Sequence, residues 1–360
     1  MYPFRPRRRA AALLAAGLAL ACARDPDPPA EGLVFARTGA GSTELWQARL
    51  ADGAERPITH TPGRDERWPY WSSESGRLLF QASPRGGRND LYLWDPGSAL
   101  ETPLLTTPDR DERWQRWSPD GTRVAYAFRG GRPETGVAWV DASDGSVEVL
   151  AAGARGDLYL RPAFAPDGAR VVAQRRRAGE PGSELWLLGP GEAPRPLVTD
   201  AAWFSFKAGF NRDGSRIVFS RRPTGAAAPA HEIASVDAAG GDLRVLAGGA
   251  GEDAHSAEPS PRRDEIAFVA RRDADFDLYL RSADGSVRAL TRTPVRDELA
   301  PRWSPDGERL VVTTSPTGAG GPRLADEESL ARTGIAVLDR GGRELFAAPG
   351  LMPDWMPPWR

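Results

Sequence analysis

The chain has 360 residues, 47 Lys plus Arg against 49 Asp plus Glu, and a formal net charge of −2. A balance this close to neutral, with no basic block beyond the N-terminus, argues against a nucleic-acid partner. Gly (39) and Pro (33) make up a fifth of the residues, which suits a chain that turns often, and no long 3.6-residue apolar periodicity in its body favours helices.

The first element is a leader. "MYPFRPRRR" is a positive n-region and "AALLAAGLALA" an apolar h-region, with Cys22 directly after it. That run is shorter than the about 20 residues a membrane-spanning helix needs, so residues 1–22 read as a signal peptide and the remainder as exported. Cys22 is the sole cysteine, which excludes an intrachain disulfide. Ala19-Leu20-Ala21-Cys22 resembles a bacterial lipobox, whose cysteine carries lipid after cleavage; Ala stands where the best form has Leu. Ordinary cleavage after Ala23 is the alternative, because Ala21-Cys22-Ala23 also fits a small-x-small site. Residues 23–31 read as a Pro- and acid-rich tether.

From Leu33 onward the chain reads as short strands. "LVFAR", "ELWQARL" and "ERPIT" come first, three strands without an opening one. A repeat then begins, aligned on an aromatic slot: Trp71, Trp117, Phe164 and Phe210 lie 46, 47 and 46 residues apart. Pro259 fills the slot 49 residues later and Trp303 follows after 44. After the slot comes a turn such as Ser118-Pro119-Asp120-Gly121, then an apolar strand, an alternating strand and a short last one. Proline fixes φ, Asp bonds the turn amides and Gly takes positive φ. A period in the forties with four strands per unit predicts an all-β, seven- or six-bladed β-propeller. Near the C-terminus Pro353-Asp354-Trp355-Met356-Pro357 repeats Pro301-Arg302-Trp303-Ser304-Pro305 and then stops. This opening strand without its three followers complements the three N-terminal strands, which closes a ring of seven four-stranded blades over residues 32–357. Counting aromatic slots alone gives the alternative of six.

These repeats resemble the TolB-type propeller repeat, also called the WD-like or PD-type repeat, with its P-x-W-S-P-D-G-x-x-I-A-F pattern. The resemblance covers about residues 31–357. Trp117–Gly121 and Trp303–Gly307 match in full; Glu74-Ser75 and Arg262-Arg263 depart from the Asp-Gly pair. It implies a propeller, without TolB's separate N-terminal α/β domain.

Residues with chemistry are sparse. His60, His231 and His255 lack metal-ligand spacing and read as loop residues, and no G-x-S-x-G elbow occurs. Lys207, the only lysine, reads as a mark of genome composition. No catalytic residue is assigned. The feature least explained by folding is "TPGRDERW", "TPDRDERW" and "TPVRDELA", which places Asp65, Asp111 and Asp297 six residues before the slot. Asp253 sits at the same distance and Asp157 at seven, while Phe204 and Pro349 interrupt the series. These five carboxylates read either as strand caps paired with neighbouring arginines, as an acidic channel mouth for a cation or basic peptide, or as ligands of a Ca²⁺ ion. The long loop 316–333 is a partner contact or a tolerated insertion. The expected protein is a non-enzymatic binding or scaffold propeller of the bacterial cell envelope. It is expected to be a monomer, lipid-anchored, facing the periplasm or cell surface, and engaged with an envelope protein or peptide. No cofactor is expected apart from the Ca²⁺ candidate. A hydrolase or lyase with a channel-floor site, and a structural subunit of an envelope assembly, are the alternatives.

Overall fold

The computed structural model describes residues 32–39, 41–225, 230–249, 252–271, 275–316 and 332–357. Cys22, the leader, the tether and nearly all of the long loop lie outside the described residues. The rest is all-β: seven sheets of four antiparallel strands, each sheet one blade. Blade 1 joins Leu351–Met356 to Gly32–Thr38, Thr43–Arg49 and Glu55–Pro57. Blades 2 to 7 follow in chain order, each beginning with an inner strand: Arg64–Ser72, Arg110–Trp117, Leu158–Phe164, Trp203–Phe210, Asp253–Pro259 and Arg296–Trp303.

Burial changes from strand to strand across each blade. The second strand has a blade against both of its faces, so it is buried along an unbroken run of mostly apolar residues. Arg77–Pro84 is buried at six successive positions, and Gly32–Thr38 at five. Alternation appears in third strands such as Asp90–Asp95, and the fourth strands, such as Leu100–Leu105, are largely exposed. The hydrophobic core is accordingly seven clusters, one per blade contact. Val34 and Leu45 of blade 1 pack on Phe80 and Trp94 of blade 2. The last cluster joins Val311, Ile335 and Val337 of blade 7 to Leu33, Phe35 and Trp355 of blade 1. Seven blades with seven interfaces leave no open side.

The ring is closed by antiparallel pairing of Leu33 with Trp355 and of Gly32 with Met356. It is also laced around its circumference. The indole Nε1 of Trp117 donates to the Tyr70 carbonyl at 3.1 Å, Trp303 to Glu258 at 3.0 Å and Trp355 to Arg302 at 3.2 Å. In each case the acceptor lies one residue before the slot of the preceding blade. The turn after the slot is also shared between blades. Ser118 Oγ donates to Asp120 and accepts from the Arg123 amide at 2.9 Å, while Gly121 takes φ 67°. A Cβ on Gly121 would stand 2.7 Å from Ser72 Oγ and 2.8 Å from the Ser75 amide, so glycine is required by close approach as well as by conformation.

Candidate binding channel

The five aspartates singled out in the sequence are engaged inside the fold. Asp65 accepts from the Thr43 amide at 2.9 Å, and Asp297 from the Phe276 amide at 3.0 Å. Asp111 accepts from the Asn89 amide at 3.0 Å and Asp253 from the His231 amide at 3.3 Å. Each of these four ties an inner strand to the start of the third strand in the preceding blade. Asp157 differs, bonding the Ala178 amide at 3.1 Å and Arg175 at 2.6 Å within its own blade. Arg67, Arg113 and Arg271 pair with Asp65, Asp111 and Asp253. The carboxylates are thus distributed one to a blade, each with an internal partner. Among the described residues no three His, Cys, Asp or Glu side chains gather as metal ligands.

Folding also accounts for the near-verbatim Thr-Pro-x-Arg-Asp-Glu segments, contrary to the expectation above, through the glutamate that ends each one. Glu66, Glu112 and Glu298 are fully buried between blades. A buried carboxylate needs hydrogen bonds. Glu298 takes them from Thr291 at 2.9 Å, Thr293 at 2.6 Å and Arg296 at 3.1 Å. Glu66 takes them from Thr59 and Arg64, both at 2.8 Å. Burial raises the pKa of both, the nearby Glu44 adding to it for Glu66, while their threonine and arginine partners oppose it.

His231 and His255 are also structural to a degree the sequence did not reveal. They form a continuous run of rings with Phe204, Phe206 and Phe276, at centroid separations of 5.9, 5.7, 5.4 and 4.9 Å. His231 Nδ1 lies 2.6 Å from Asp253 Oδ1, and His255 Nδ1 lies 3.0 Å from Ser256 Oγ. Burial, with His231 adding to it, pushes the His255 pKa down to about 4, so that ring is neutral. His60 stays exposed in a loop, as read.

The axis is where side chains from different blades converge. Three residues before each slot, every inner strand holds a non-glycine residue at positive φ: Trp68, Trp114, Arg161, Lys207, Ser256, Ala300 and Met352, between 50° and 59°. Pairing with the second strand shifts register beside them, for example between Arg67 and Tyr70 and between Phe206 and Gly209. Seven bulges of this kind turn the inner edge of every blade alike. Arg161 and Lys207 stand at this register in blades 4 and 5. One residue before the slot stand Tyr70, Arg116, Glu258, Arg302 and Asp354 of blades 2, 3, 6, 7 and 1. Lys207 interacts electrostatically with Glu258, Arg161, Arg302 and Arg116. Groups from five blades come within range of one another only around the central channel.

Two of these cations are fixed. The Tyr70 ring lies between the guanidiniums of Arg116 and Arg302, 4.0 and 4.2 Å from its centroid. Arg302 also pairs with Asp354 at 3.1 Å, whose other oxygen accepts from the Trp71 amide at 2.9 Å. Burial opposes the charge on Arg302, but Tyr70 and Asp354 outweigh it and raise the pKa. Arg161 and Lys207 have no hydrogen bond or ion pair among the described residues. Burial lowers the pKa of Arg161 and brings that of Lys207 down to about 7, with Glu258 opposing and the arginines adding. The sequence carries this signal in the varied residues just before each slot, where the repeated turn is the stronger pattern and a single lysine has no spacing to mark it.

A protein-family profile described as the TolB beta propeller domain matches residues 115–325. No curated protein matches the chain. Among solved structures, TolB from Acinetobacter baumannii is 18% identical with a TM-score of 0.56, covering 91% of this chain and 83% of that one. An oligogalacturonate lyase in complex with manganese is 16% identical with a TM-score of 0.62, covering 80% of this chain and 85% of that one. A puromycin hydrolase reaches a TM-score of 0.66 at 20% identity, covering 88% of this chain but only 52% of its own length. At these identities the likeness is one of fold.

Proposed function

The chain belongs to the TolB beta propeller domain family, and from that premise we propose that it is an exported binding module whose ligand docks at the central channel. The supporting observation is the convergence on one axis of Arg116, Arg161, Lys207, Glu258, Arg302 and Asp354 from the inner strands. A rigid ring gives such groups fixed positions, and rigid placement is what a binding site needs. In this reading the leader is cut before Cys22, Cys22 is lipidated, residues 23–31 tether the propeller, and the protein works as a monomer in a bacterial cell envelope. Its partner there is an envelope protein or peptide.

Ala300 is exposed and shares the register of Arg161 and Lys207, whereas Val245 is exposed on an outer strand. A photoreactive amino acid at position 300 is expected to cross-link a partner in intact cells, and one at position 245 is not. Cross-linking from 245 alone, or from neither, contradicts the reading. A second reading, a lyase or hydrolase working in the channel, is favoured by Lys207, since an amine with a pKa of about 7 among arginines suits a general base. Incubation of the pure protein with acidic oligosaccharides distinguishes it: β-elimination leaves an unsaturated, ultraviolet-absorbing product, hydrolysis leaves new reducing ends, and a binding module makes neither.

A further inference from the structure

We propose that the channel holds an oxyanion, a carboxylate or a phosphate group, with Arg161 and Lys207 as its direct contacts. The inference rests on the channel being the binding site, and it reverses the charge of the ligand suggested by the rim aspartates. Those carboxylates are bonded internally, and of the unpaired groups at the axis two, Arg161 and Lys207, are basic against one acid, Glu258.

The charge count decides the sign. Arg302 and Asp354 form a pair and cancel. What remains around the axis is Arg116, Arg161 and Lys207, the last about half protonated at neutral pH, against the one carboxylate of Glu258. A cation entering this ring meets an excess of like charge, and an anion meets the reverse. Roles divide by how each group is held. Arg116 is occupied by the Tyr70 ring and donates to the Gln115 carbonyl at 2.9 Å, and Arg302 is occupied by Tyr70 and Asp354. They supply positive potential and stay where they are. Arg161 and Lys207 occupy one register on adjacent blades, with every side-chain donor available among the described residues. Unpaired cations gathered with little water are unfavourable, and an oxyanion accepting from both relieves that while gaining charge-assisted hydrogen bonds. The positive-φ bulges at Arg161 (50°) and Lys207 (52°) hold both side chains at the axis, which pre-organises the seat.

The same group can come from a free small acid or from an acidic side chain of a docked protein. The test is thermal melting of the full-length protein in succinate or inorganic phosphate against chloride at matched ionic strength, with Arg161→Gln, Lys207→Gln, the double variant and Lys207→Arg. A rise of several degrees in either oxyanion is expected, smaller in each single variant, absent in the double variant, and retained in Lys207→Arg. Variants are compared in chloride to confirm that they fold. An equal rise in the double variant identifies a general salt effect and overturns the proposal, as does no rise in tens of millimolar of both anions. If cross-linking from position 300 persists while no oxyanion acts, this proposal fails and the channel reading survives; if both are absent, the channel reading fails too. Succinate that abolishes the cross-link shows that the partner inserts its own carboxylate, and a cross-link unaffected by bound succinate assigns the seat to a free acid.

Discussion

Glu112 is the one glutamate of the repeated segment whose burial is not fully matched by partners. At two equivalent blade contacts, Thr59 and Thr291 give their hydroxyls to Glu66 and Glu298. The third contact has Leu105 in that place, and Glu112 Oε2 is left buried without a partner. Burial, with Asp90 and Asp111 adding and Thr107 opposing, pushes its pKa up to about 7. A carboxyl with a folded-state pKa raised above the unfolded value binds more protons when folded. Its contribution is therefore fully present at low pH and declines as pH rises from about 4.5 to about 7. Glu112→Gln is expected to melt like the parent at pH 5 and to be more stable at pH 8, by on the order of 1–3 kcal/mol. A Glu112→Gln variant less stable at pH 8 would mean that the charge is compensated. None of this was legible in the sequence, because a charged residue in a loop-like segment reads as solvated until its neighbours across the blade are known. Lys207 escaped for the same reason: a lone lysine has no spacing to mark it.

Strands were the most legible elements, since the aromatic slot, the Asp-Gly turn and the apolar run after it repeat at a nearly constant interval. Which strand is buried on both faces also follows from runs such as "LLF" and "VAY". The bulges did not follow, because six different residue types at seven positions, from Trp68 to Met352, adopt the same positive φ and glycine is not among them. Geometry there is imposed by the ring and not by residue preference. The aspartates stand out by period, and in the fold most of them bond a backbone amide of the preceding blade, while Arg64 and Arg296 pair with the glutamates instead. Replacing Asp65, Asp111 and Asp297 together with Asn keeps an acceptor oxygen facing each neighbouring amide but removes its charge. A loss of about 1 kcal/mol per site is expected, and it should be nearly additive because the three sites lie at separate blade contacts. Denaturant unfolding checks this. Unchanged stability together with lost partner binding would restore the acidic mouth as the functional feature.

Seven blades were readable only because the two chain ends were read together: slots alone give six, and the strand at Trp355 supplies the seventh. Closure also connects fold to function, since the strand that seals the ring brings Asp354 to the channel and holds Arg302 at 3.1 Å. Leu351, Trp355 and Met356 are buried at 1%, 3% and 2% exposure, and removing them uncovers Leu33 and Phe35. At about 1.5–3 kcal/mol per large apolar side chain, that loss is on the order of 5–9 kcal/mol. It is comparable with the whole stability of an ordinary domain. An unpaired edge at Gly32–Thr38 would at the same time offer a template for association. The decisive measurement is the melting and sedimentation of a chain ending at Gly350 beside the full-length protein. A closed ring of seven predicts that the shortened chain melts far lower and aggregates. Equal melting with a single monomeric boundary would contradict closure by this strand, and with it the account of how the channel is assembled.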